Sequence, residues 1–119
     1  MEESILNTVK KMIGIGADYT SFDTDMIVCI NSAFGILNQL GVGPEEGFEI
    51  SGSEESWDDF MPDDTPARDM SKTYIFLKAR LIFDPPQSSG VIEAVKSQIA
   101  ELEWRLFVQR DGNKIAEET

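Results

Sequence analysis

An all-α fold, a small bundle of about four helices, is the architecture this sequence predicts, and three observations predict it. Between Asp23 and Leu40, the residues Met26, Ile27, Cys29, Ile30, Ala33, Phe34, Ile36, Leu37 and Leu40 fall on one helical arc of about 180°. Further on, Ile92, Val95, Ile99, Leu102 and Leu106 recur at spacings of three and four, a clean apolar seam. Between such stretches stand helix stops and starts: Gly41, Thr65-Pro66 and Asp84-Pro85-Pro86. The helices are placed at roughly 2–13, 23–40, 66–83 and 88–110, with a long acidic loop at 41–65. The first 110 residues are expected to form a single domain, and 111–119 a polar, flexible tail.

The first helix, EESILNTVKKMI, puts Ile5, Leu6, Val9, Met12 and Ile13 on one side, with acids early and lysines late as the helix dipole prefers. Gly14 and Gly16 break it. For the second helix Asp23 is the natural N-cap, Phe22 is placed to staple onto Ile27, and Gly41 ends it. Its apolar arc exceeds the little more than 100° of an ordinary surface helix, which predicts a central position with neighbours on more than one side. Val28, Ser32 and Gly35 lie together away from that arc. Small residues there, with a glycine costing about 1 kcal/mol in a helix interior, suggest that a second helix, of the same subunit or the next, crosses at Gly35.

The connection GVGPEEGFEISGSEESWDDFMPDD is long for a structureless loop in a compact domain. Phe48, Ile50, Trp57 and Phe60 predict that it is pinned, with an extended piece near 48–51 and a helical turn near 54–60. The helix opened by Thr65-Pro66 has two apolar faces. Met70, Tyr74, Leu77 and Leu81 make one; Ile75, Phe76, Ala79, Ile82 and Phe83 make a second, nearly opposite. Exposing the large residues of the second face would forgo about 1.5–3 kcal/mol of burial each. Either the loop aromatics cover that face or a neighbouring subunit does, and the subunit is the favoured reading. Ile75, Phe76, Ile82 and Phe83 are therefore candidate interface residues, as are Trp104, which lies off the seam of the last helix, and Phe107 at the seam's edge. Asp84, Pro85 and Pro86 form a structural corner that sets the angle to the last helix, which Ser88 or Ser89 caps.

The formal net charge of −12 over 119 residues argues against a nucleic-acid grip, which needs a basic surface. Residues 45–64 hold nine acids and no base, among them the acidic-loop candidates Glu54, Glu55, Asp58, Asp59, Asp63 and Asp64. The following helix carries Arg68, Lys72, Lys78 and Arg80, so loop and helix are expected to attract one another. The paired carboxylates match no EF-hand spacing, and a solvated acidic loop is preferred to a metal site. There is no histidine and one cysteine, Cys29, read as a small buried hydrophobe. No phosphate-binding loop or nucleophile elbow is present, and GIGADY at 14–19 lacks a preceding strand and the full glycine pattern. These features predict no catalytic residue, cofactor or metal. With no leader-like segment and no apolar run near 20 residues, a soluble protein made in the cytoplasm is expected.

NSAFGILNQLGVG, then WDDF, then KTYIFLKARLIFDPPQSSGVIEAVKSQIAELEWRLF carry a resemblance. The chain, from about Ile5 to Arg110, resembles the head–tail connector (adaptor) proteins of tailed phages and prophages of Gram-positive bacteria. The resemblance implies an all-helical, non-catalytic subunit that assembles into a ring of about a dozen copies at the virion neck. Such a ring docks under the portal protein at the capsid vertex, extends the channel through which packaged DNA passes without specific binding, and presents a platform to the next neck or tail-completion protein. No membrane is involved. It further implies that a terminal segment threads into the portal, for which Arg110, Lys114 and Ile115 are the candidates. The alternative is an acidic adaptor outside the virion that mimics nucleic acid toward a basic partner.

Overall fold

The computed structural model describes residues 4–62 and 65–118, with side chains described as far as Val108 in the last helix. The elements are α1 (Ile5–Ile13), α2 (Asp23–Gln39), a one-turn α3 (Trp57–Phe60), α4 (Pro66–Phe83) and α5 (Ser89–Glu118), with no strand among the described residues. The architecture is thus the all-α bundle that the spacing predicts, with the fifth helix arising from the helical turn expected in the loop.

Several boundaries follow from local chemistry. Ser4 caps α1, its Oγ accepting from the Asn7 N–H at 3.2 Å. At the end of α2 the Val42 N–H donates to the Leu37 carbonyl and the Gly41 N–H to that of Asn38. That is the six-to-one and five-to-two pairing of a Schellman cap, and it requires the left-handed backbone of Gly41, φ 85°. Thr65 caps α4 with Pro66 in its first turn. Ser88 caps α5, and α4 stops at Phe83, with Asp84 taking an extended φ of −150° ahead of the prolines. α5 continues to Glu118, past the 110 that the sequence suggests. The segment DGNKIAEE contains no proline, and its single glycine weakens a helix without ending it.

Two expectations need correction. Asp23 is not the N-cap of α2; it stands inside the first turn, and Phe22 occupies the cap position without a side-chain bond. The Asp23 carboxylate is taken instead by Lys10, 2.8 Å away. Nor, among the described residues, does a helix cross at Gly35: that position is exposed, and a Cβ built on it would meet nothing within 4 Å.

α2 does have neighbours on several sides, but the hub is α4, which packs against α1, α2 and α5. Its two apolar faces explain this. Tyr74 and Leu77 are buried on the α5 side, where the Tyr74 hydroxyl donates to Glu103 at 2.8 Å. Ile75 and Ala79 are fully buried on the other. The second face is therefore closed largely within the chain, by α1 and α2 sharing one side of α4, and Ile75 has no surface left to offer a neighbour. α5 packs principally on α4 alone, through Val95, Ile99 and Leu106.

The long loop is stitched down, as its apolar residues predict. Phe48 and Phe60 pack on Phe34 of α2, with ring centroids 5.1 and 4.7 Å away. The piece near 48–51 is held by a side chain and forms no strand: Asn31 accepts from the Ile50 N–H (2.8 Å) and donates to its carbonyl (2.9 Å). An isolated antiparallel bridge joins Ser4 to Ser56, and the Ile5 N–H donates to the Glu55 carbonyl.

Candidate interaction surface

Where a core is closed, the informative residues are large apolar ones left outside it. On α5, Trp104 is 65% exposed, stacks on Phe107 (6.3 Å, 28°), and stands beside exposed Val108. With a hundred degrees per residue, these three share one flank of α5, Trp104 and Val108 on the side away from the seam that meets α4 and Phe107 at the seam's edge. Trp104 and Val108 line an open groove together with Met70 of α4, Glu101 and Arg105, the last two joined at 2.9 Å. At the far end of α4, Phe83 contacts Phe22 (6.3 Å), which contacts Tyr19 (5.7 Å). Tyr19 and Phe22 are half exposed, at 51% and 45%. This second cluster was not expected from the sequence, where Phe22 was placed only as a staple onto Ile27 and Tyr19 had no role. Two aromatics in so short a turn-rich stretch were the available signal.

A family model described as phage connector protein matches residues 5–113. The chain belongs to the phage connector protein family. No curated protein and no solved structure matches the chain. The family is structural, and both aromatic clusters of the connector lie inside the matched span. Of the residues assigned to portal docking, Arg110 falls inside that span and Lys114 and Ile115 beyond it. The side chains of all three lie outside the described residues.

The remaining interface candidates are spread over different environments. Ile82 is 64% exposed at the end of α4, while Phe76 and Phe83 are half-buried. The corner residues Asp84 and Pro85 are exposed and Pro86 half-buried.

The acidic loop is less free than its composition suggests. Asp59 completes a capping box with Ser56 at the start of α3. Asp58 bonds Arg68 of α4, the attraction between loop and helix that the charges predict, and Arg68 also donates to the Met61 carbonyl at 2.9 Å. Glu55 accepts from the Ser51 N–H and hydroxyl, both at 2.9 Å. Burial pushes its carboxyl up, but the hydrogen bonds from the Ser51 and neighbouring backbone outweigh that and hold it below the usual range. Glu54 is exposed, and Asp63 and Asp64 lie outside the described residues. Three of these acids are thus occupied in building the loop.

Three further groups escaped sequence reasoning or gain a role from the fold. Lys10 is buried, its Nζ donating to the Ala17 carbonyl at 3.1 Å and pairing with Asp23. Trp57 is buried with Lys72 5.4 Å above its ring, and its indole N–H meets no acceptor among the described residues. Cys29 is half-buried, and burial raises its thiol despite the nearby Lys78. Among the described residues no group of three or more metal-ligating side chains gathers, and no helix is long and apolar enough to cross a membrane.

Proposed function

We propose that the chain is a subunit of a ring at the neck of a tailed phage or prophage of a Gram-positive host. In this reading copies assemble beneath the portal protein at the capsid vertex, prolong the channel that DNA crosses, and receive the next neck or tail-completion protein. The subunits are made in the host cytoplasm and end in the virion neck. The observation that bears most weight is the connector-family match over 5–113. The exposed aromatic clusters support it, because a ring subunit needs two different adhesive flanks. The net charge of −12 agrees with a lumen that DNA passes without being held. Ile82, Phe83, Trp104, Phe107 and half-buried Phe76 are the interface residues in this reading, and the end of α5 with Arg110, Lys114 and Ile115 is assigned to the portal.

The test is direct. Purified protein is mixed with the portal encoded beside it and imaged in negative stain. Additional ring-shaped density on the portal's outer end is the expected result. A portal that remains bare at saturating protein overturns the assignment.

A further inference from the structure

We propose that the two aromatic clusters are the two halves of one contact between copies. Trp104, Phe107 and Val108 of one copy dock on Tyr19, Phe22 and Phe83 of the next. The inference rests on the ring reading and names the surfaces that meet.

The clusters stand at opposite ends of α4. Met70, beside Trp104, and Phe83 are separated by about 20 Å at 1.5 Å per residue. On the α4 wheel they also point to different sides, Met70 toward α5 and Phe83 toward the start of α2. One chain cannot bring its own two clusters together, whereas a second copy can, by a heterologous head-to-tail contact. Both surfaces are aromatic, the chemistry enriched at the centre of interfaces.

Charge favours this pairing over self-pairing of the Tyr19–Phe22–Phe83 cluster. The Tyr19–Phe22–Phe83 cluster is flanked along the chain by exposed Asp18, Asp25 and Asp84, none of which makes an ion pair among the described residues. Two such clusters face to face would set carboxylates against carboxylates. The α5 cluster instead carries Arg105, exposed and, among the described residues, held only by Glu101 one turn away on the same helix. Arg105 of one copy is the cation available to the carboxylates of the next.

The experiment uses Trp104→Glu, which spoils one half, and Phe22→Glu, which spoils the other. Both side chains are largely outside the core, so each variant is expected to keep the wild-type melting temperature. Tyr19→Glu replaces Phe22→Glu if the latter does not. Light scattering behind size-exclusion chromatography reads the mass. The wild type is expected to associate with rising concentration. Each variant alone is expected to remain monomeric, its association weakened about thirtyfold or more, as for a central aromatic contact. An equimolar mixture of the two, which retains one intact pair of surfaces, is expected to form a one-to-one complex and stop there. Arg105→Glu should weaken wild-type association about threefold, with less effect at high salt. The proposal is overturned if Phe22→Glu alone associates as the wild type does, since the α5 cluster then pairs with itself. It is overturned equally if the mixture stays monomeric, or if the wild type is monomeric at millimolar concentration. In that last case density on the portal would still uphold the connector reading, so the two failures are separable.

Discussion

At the scale of single residues, the Lys10–Asp23 pair is the most consequential contact in the N-terminal half. It ties the end of α1 to the start of α2 across the turn that carries Tyr19 and Phe22. The lysine side chain is 2% exposed and the aspartate 26%, so the two partners are not equivalent. Asp23→Asn leaves an uncompensated buried ammonium and should cost about 3 kcal/mol, about 12 °C in Tm for a chain of this size. Lys10→Met leaves a carboxylate that can turn to water, and should cost about 1 kcal/mol. Thermal melts of the two variants check the order; equal losses would mean that the pair contributes little beyond packing. Tyr74 gives a second prediction, one that depends on pH. Burial first, then the hydrogen bond and charge of Glu103, hold its hydroxyl well above the ordinary tyrosine range. With a raised folded pKa, its contribution is complete below about pH 10, the unfolded value, and is lost as pH rises beyond it. Tyr74→Phe should therefore cost about 1 kcal/mol near neutrality, and the gap to wild type should narrow in denaturant titrations above pH 10. A gap that stays constant through that range would rule out the linkage.

At the scale of elements, the loop between α2 and α4 behaves as part of the core because α2 supplies its missing partners. Asn31 gives the Ile50 peptide both of the bonds that a neighbouring strand would have given. Asn31→Ala should cost about 2 kcal/mol by leaving a buried N–H and carbonyl unpaired, and should speed hydrogen exchange at the Ile50 amide. Unchanged exchange there would show that the loop is held by its aromatics alone. Helix ends were the most legible feature of the sequence, since Thr65-Pro66, Ser88 and Gly41 act within one turn of their own position. Asp23 misled for the same reason: local rules make it a cap, and only the fold brings Lys10 to it from thirteen residues earlier. The two faces of α4 were legible as faces, but which element covers each depends on how α1 and α2 pack, which no periodicity encodes. Ile75 was thus assigned to a neighbouring subunit when it lies in the chain's own core.

At the scale of the whole molecule, the fold is a hub helix with α1 and α2 on one side and a single long helix on the other. At about 1.5 Å per residue α5 is about 45 Å long against about 27 Å for α4. The family resemblance was legible because motifs such as FDPP and ELEWRLF run in unbroken sequence. The two aromatic surfaces were only half legible. Trp104 declares itself by standing off its seam, whereas the Tyr19–Phe22–Phe83 cluster joins residues some sixty positions apart. One consequence of the arrangement concerns light. The chain holds two tryptophans: Trp57 is sealed beneath Lys72 and α4, and Trp104 stands in water. Their emission should separate by colour, the sealed indole bluer and the hydrated one redder. The native protein then carries two unlabelled optical reporters, one sensitive to unfolding and the other to the arrival of a neighbour.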